Sequence, residues 1–145
     1  MKVLDFDAGT DEFAQFSVAF PKSWNEGTVT FQAFFTANTT NTGDVAFAMQ
    51  AVALADNGDL NTAFRSDVGP AGKAMSGTAN DLAVTAESGA VTIAGSPSTD
   101  EYVFFQLMRD VSEGVWNNSL QIMYFLLLAA AVLLLMKGAS EGEDL

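Results

Sequence analysis

Cysteine and histidine are both missing from the 145 residues. Disulfides, thiolate chemistry and zinc sites of the Cys/His kind are thereby excluded. The commonest general acid–base, which is also the side chain that titrates near neutrality, goes with them. The lack of cysteine does not by itself identify a compartment. Basic residues are scarce, with 6 Lys and Arg against 18 Asp and Glu and a net charge of −12. Such a surface repels nucleic acid, because phosphate contacts require Lys and Arg, and it disfavours anionic membrane surfaces. It favours solubility, and no nucleic-acid partner is expected. Tryptophan and tyrosine number two each, whereas phenylalanine numbers 12. Phenylalanine has no polar handle and mostly fills cores and sheet faces. With 49% hydrophobic residues the chain can build the core of one domain and is too apolar to be disordered. An apolar h-region is also missing at the N-terminus, where Met1-Lys2-Val3-Leu4 runs into Asp5 and Asp7, so no signal peptide is expected.

Residues 1–112 read as short strands separated by turns. Lys2–Phe6 is a brief strand. Phe13–Phe20 is a second, with Phe16, Val18 and Phe20 on one face, and Pro21 ends it because proline cannot donate to a ladder. Pro21–Gly27 is a loop rich in turn residues. Thr28–Thr36 carries the clearest period of two, with Val29, Phe31, Ala33 and Phe35 facing one way and Phe34 the other. Phe34 on the outer side implies a second contact surface. Val45–Leu54 reads as a long strand and Asp56-Asn57-Gly58-Asp59 as a turn. Leu60–Gly77 reads as a long loop with one weak strand or helical turn. Asp81–Ala86 and Ala90–Ala94 are expected to pair across Glu87-Ser88-Gly89, Gly95–Ser98 to turn, and Tyr102–Asp110 to form a strand. Strands at intervals of about ten residues suit a sandwich or jelly roll. No repeat and no βαβ pattern is visible, so a parallel sheet is not expected.

The runs Leu4-Asp5-Phe6-Asp7-Ala8-Gly9-Thr10-Asp11-Glu12-Phe13-Ala14-Gln15-Phe16 and Phe20-Pro21-Lys22-Ser23-Trp24-Asn25-Glu26-Gly27-Thr28-Val29-Thr30-Phe31 carry a further signal. So do Leu54-Ala55-Asp56-Asn57, Val91-Thr92-Ile93-Ala94-Gly95-Ser96-Pro97 and Phe104-Phe105-Gln106-Leu107-Met108-Arg109-Asp110. Together they resemble a β-sandwich, jelly-roll-like module of bacteriophage and prophage virion proteins, of the tail-fibre or head-decoration type. The resemblance covers residues 3–111. It implies a structural role and no catalytic residues, so none is carried over. Fold alone does not fix a function. After Asp110 the chain departs from the pattern, which puts the last strand in doubt.

Leu120–Met136 contains a single polar residue, Gln121. A bilayer span needs about 20 residues, with a lower limit of about 17, so 120–136 is at that limit. Trp116 and Tyr124 would sit at one interface and Lys137 at the other. Two other readings stand beside the span. In one, Leu120–Leu127 is the missing last strand and the remainder a short packed helix, since Leu, Ala and Met favour helix. In the other, the terminus has been altered by recombination or a shifted frame. In each, Leu126, Leu127, Leu128, Leu133, Leu134 and Leu135 must meet lipid, the chain's own core or a neighbouring subunit.

Sites for chemistry are few. Asp5, Asp7, Asp11 and Glu12 cluster near the start, but an EF-hand loop would need Gly where Thr10 stands and Glu where Phe16 stands. A charged strand edge that resists sheet-to-sheet pairing accounts for the cluster better. Nothing marks a glycosidase pair of carboxylates, and without histidine the usual serine triad cannot be built. Lys73 lies outside any Ser-x-x-Lys spacing. Trp24, beside Lys22, Asn25 and Glu26, is a candidate platform for a sugar ring; the competing reading is a Trp folded back as a plug. Arg109 and Asp110 read as an exposed pair or strand cap that contributes little.

The expectation is therefore an all-β protein: an antiparallel β-sandwich, jelly-roll-like, over 1–112, with a hydrophobic C-terminal helical extension and acidic tail over 113–145. It is expected to be non-enzymatic, to need no cofactor or metal, and to assemble with identical copies, a trimer by analogy with fibre tips. Its other expected partners are virion proteins and a host surface glycan, with a membrane contact through 120–136 in the span reading. The expected setting is the virion, the rivals being a membrane-anchored surface protein and a carbohydrate-binding module.

Overall fold

Alternation of apolar and polar residues places one face of each long strand on a shared core. The computed structural model describes residues 3–65, 68–111 and 123–125. These form β1 (Leu4–Phe6), β2 (Glu12–Ala19), β3 (Phe34–Ala37), β4 (Asp44–Leu54), β5 (Val68–Ala74), β6 (Ala83–Val84), β7 (Ile93–Ala94), β8 (Tyr102–Asp110) and β9 (Met123–Phe125). No helix occurs among the described residues. One sheet has the order β1-β9-β3-β6, and the other runs β2-β8-β4-β5, with β7 also on β4. All pairings are antiparallel except β4 with β7, which is parallel through Ala51↔Ile93 and Val52↔Ala94. β5 covers the first half of one edge of β4 and β7 a piece of the second half.

With the two-residue β7 set aside, the antiparallel pairs are nested. β1 pairs with β9, β2 with β8, β3 with β6, and β4 with β5. The chain is thus a two-stranded ribbon whose successive segments alternate between sheets, except for β4 and β5 at its turn.

The core lies between the sheets. β4 contributes Val45, Phe47, Met49, Ala51 and Ala53, and β8 contributes Val103, Phe105 and Leu107. Phe6 and Phe35 of the other sheet meet Phe47 edge-on, with ring centroids 6.2 and 5.2 Å away. Phe16 stacks on Phe105 at 5.1 Å. Each buried Phe contributes about 1.5–3 kcal/mol, and a ring pair adds about 0.5–1.5 kcal/mol. The phenylalanine-rich composition is thereby accounted for.

Two sequence expectations change, and a third is made definite. Thr28–Thr36 keeps its alternation, with Val29, Phe31, Ala33 and Phe35 all buried, but the regular ladder is confined to Phe34–Ala37. Upstream, the Ser88 hydroxyl accepts the Phe31 N–H and the Thr85 hydroxyl accepts the Ala33 N–H, both at 3.0 Å. Hydroxyls stand in for carbonyls there, which breaks the ladder without leaving those donors unmet. The expected hairpin of 81–86 with 90–94 does not form. Ala83–Val84 join β3 in one sheet, Ile93–Ala94 join β4 in the other, and Val91 bridges to Val29. Each arm is two residues long, too short to fix its own pairing, and joins the strand that lies beside it. Of the loop with one weak strand or helical turn read over 60–77, Val68–Ala74 is the strand, at the edge of β4 with a bulge between Phe47 and Met49. Gly69 fits because a Cβ there would lie 2.8 Å from the Ala48 Cβ.

Within the apolar segment 120–136, Met123–Phe125 lies between β1 and β3, with Leu4↔Phe125 and Phe35↔Phe125 in register. This strand belongs to the first sheet, although the sequence division at 112 assigned it to the extension. The helical extension itself, with Leu126, Leu127, Leu128, Leu133, Leu134 and Leu135, lies outside the described residues. No helix among the described residues is long and apolar enough to cross a membrane.

Candidate functional site

The acidic start of the chain folds over a buried cation. Asp7 closes an Asx turn between β1 and β2: its Oδ1 accepts the Gly9 N–H at 2.7 Å, the Thr10 N–H at 3.0 Å and the Thr10 hydroxyl at 3.1 Å. The Gly9 N–H and the Thr10 hydroxyl hold its carboxyl below the ordinary value, with a smaller pull from Arg109. Glu12 accepts the Asp7 N–H through Oε2, and Asp11 accepts the Val111 N–H at 2.9 Å. Arg109 stands opposite Glu12 on β8, in the same inward series as Val103, Phe105 and Leu107. It is fully buried, and its Nη1 donates to the Asp7 carbonyl. Burial lowers its pKa, against the opposing fields of Asp7, Asp11 and Glu12. It stays charged, because guanidinium is not deprotonated in proteins.

The reading of Arg109 and Asp110 as an exposed pair is therefore corrected, since both are buried. The parity of β8 in the sequence was the available signal, because Arg109 continues the 103, 105, 107 series. The arrangement straps the β1–β2 loop onto β8. Among the described residues no group of three or more Asp or Glu is placed to hold a metal ion.

Beside this strap is a shallow cleft of about 240 Å³ between the two sheets' outer strands, lined by Leu4, Asp5, Phe6, Glu12, Phe13 and Ala14. Its Glu12 is engaged with the Asp7 backbone. The cleft offers mixed apolar and acidic walls and no nucleophile.

Trp24 does not offer a sugar platform. Its backbone N–H closes a turn onto the Pro21 carbonyl at 2.9 Å, and its indole stacks on Phe20 at 4.1 Å with 18° between planes. Only 5% of its surface is exposed. Phe20 in turn meets Phe105 edge-on, so Trp24 belongs to the core. Of the two readings of Trp24, this burial fits the plug and not the exposed sugar platform. The indole N–H is buried without a partner among the described residues. Phe34 is half-buried on the outer side of β3, opposite Val84.

The most distinctive surface is the outer face of the β2-β8-β4 sheet, which the sequence reading did not single out. Its cross-strand rows are Phe13–Met108–Ala48, Gln15–Gln106–Gln50, Ser17–Phe104–Val52 and Ala19–Tyr102–Leu54. None of these residues is charged. Gln50 donates to the Gln106 carbonyl oxygen, and Ser17 donates to the Tyr102 hydroxyl at 2.9 Å. Phe13 and Tyr102 are 55% and 46% exposed. Ala48 and Val52 of β4 are buried, so the open part of this face is its β2 side, where Phe13, Gln15, Ser17, Ala19 and Tyr102 are exposed and uncharged, a surface for contact on a chain with 18 acidic residues.

Compared with protein-family models, curated proteins and solved structures, the chain matches none.

Proposed function

We propose that this chain is a β-sandwich of jelly-roll connectivity that serves as a non-enzymatic structural or attachment module of a bacteriophage particle, in a tail fibre or as a capsid decoration. The observation that carries the reading is the nested strand pairing, first with last and inward to β4 with β5. Set out over two sheets of four strands, that nesting is the double-sheet, Greek-key order of a jelly roll, an architecture of viral capsid domains. The rings of Phe6 and Phe35 against Phe47 support face-to-face packing. The exposed, uncharged residues of β2, with Tyr102 of β8 beside them, support assembly with identical copies and with other virion proteins. The placement of Met123–Phe125 between β1 and β3 favours closure of the sheet by the C-terminal segment over a span across 120–136.

The test is physical co-purification. Particles from the source culture are banded on a density gradient, and their proteins are identified by mass spectrometry, with immunogold labelling by an antibody to the purified chain. Peptides of this chain in the particle band, with label on the particles, are expected. Peptides confined to the membrane or soluble fractions refute the virion role.

A further inference from the structure

The outermost strands of the two sheets differ in a telling way. β1 and β6, at the ends of the first sheet, are 3 and 2 residues long. β5 carries Pro70 and Lys73. Short length, proline and lysine are the usual devices that keep a sheet edge from templating another strand. β2 has such devices only at its ends, in the charges of Asp11 and Glu12 before Phe13 and in Pro21 beyond Ala19. It is 8 residues long, with β8 on one side and no described strand on the other. From Phe13 to Pro21 it bears no charge, and Phe13, Gln15, Ser17 and Ala19 are exposed. This edge continues the charge-free outer face. Copies of a chain with net charge −12 repel one another over most of their surface, so an uncharged edge is where two can meet. The ends of β2 are also of opposite sign, with Asp11 and Glu12 at its start and Lys22 just beyond its end.

We propose that β2 pairs antiparallel with β2 of a second copy across a two-fold axis, joining the two β2-β8-β4 sheets into one. In such a self-pairing the facing residues must point the same way, and a register centred on Ser17 meets this condition. It brings Glu12 at the start of one strand toward the far end of the other, where Lys22 stands in the turn beyond Ala19, and does so twice because a two-fold contact repeats every pair. Lys22 also pairs with Asp100 of its own chain, but the two side chains are 72% and 81% exposed. A pair that exposed is worth little and leaves Lys22 available to a second carboxylate. The contact rests on the self-assembly part of the proposed function and not on the virion role. It gives a two-fold unit in place of the trimer expected by analogy.

The test is the mass of the full chain in detergent-free buffer, by sedimentation across a concentration series, for wild type, Ser17→Lys and Lys22→Glu. Wild type is expected at twice the chain mass. Ser17→Lys sets two ammonium groups together on the axis and is expected at one chain mass, still with a cooperative melt but one lowered by loss of the partner and of the Ser17–Tyr102 hydrogen bond. Lys22→Glu lies outside the strand, so it tests the contact without threatening the fold. It is expected to weaken the dimer by about tenfold at low salt and by less at high salt. A monomeric wild type refutes self-assembly altogether. A wild-type trimer, or an assembly that neither substitution alters, refutes the β2 contact alone.

Discussion

Replacing Arg109 with methionine separates a buried strap from a surface ion pair. The guanidinium is fully buried and donates to the Asp7 carbonyl, with Asp7, Asp11 and Glu12 contributing the surrounding negative field. Methionine keeps an apolar stem of similar length and loses the charge and the donors. A hydrogen bond involving a charged group contributes about 1.5–3 kcal/mol. Breaking a wholly buried pair would cost about 3–5 kcal/mol, but the acids here lie at the surface and regain water when the cation goes. The loss should therefore lie near the lower figure, about 2 kcal/mol. For a chain of this size, roughly 2–4 °C is lost per kcal/mol, so the melting temperature should fall by about 4–8 °C. Urea and thermal unfolding of the full chain measure this directly. Arg109→Lys, which keeps the charge but not the planar fork, should fall between the two. A loss below about 0.5 kcal/mol, the scale of an exposed pair, would refute the strap.

Further outcomes follow from the same geometry. The folded pKa of Asp7 lies below its ordinary 3.8, so its turn stabilises the fold above that value and the contribution is lost as pH falls through the lowered folded pKa. Asp7→Asn should remove this acid limb from the pH dependence of urea midpoints, and an unchanged limb would assign it to other carboxylates. Phe47→Ala, at a fully buried ring touching both Phe6 and Phe35, should cost about 3–5 kcal/mol by equilibrium unfolding. A chain ending at Gly114 lacks β9, the described partner of β1, and should show no cooperative melt; a melt matching the full chain would mean that β9 adds nothing to the sheet.

The long strands were legible because their alternation is strong. Phe13–Phe20, Val45–Leu54 and Tyr102–Asp110 were each read to within one residue of β2, β4 and β8. What could not be read was pairing. Ala83–Val84 and Ile93–Ala94 look like the arms of one hairpin, yet they belong to different sheets, because two-residue contacts are decided by the strands they meet. The candidate site was legible only in part. The acids of the β1–β2 loop stood out, while their cation did not, because an Arg next to an Asp reads as surface until the parity of β8 is followed through. For Trp24 the polar neighbours left both an exposed platform and a buried plug open, and its stacking on Phe20 follows from a turn that brings it back over the core. The uncharged outer face was implicit in the same alternation, but only the register of β2, β8 and β4 shows that its rows line up.

The nested pairing also fixes when the molecule can fold. Leu4 has its ladder partner at Phe125, and β2 must wait for β8. At a synthesis rate of about 5–20 residues per second, β1 leaves the ribosome on the order of ten seconds before its partner exists. Until then the growing chain carries phenylalanine-rich strands with unmatched backbone, the kind of intermediate that aggregates or recruits chaperones. Completion of the C-terminal segment is thus the event that commits the chain to its native sheet, and lesions near that end should act on yield during synthesis before they act on the stability of molecules already folded.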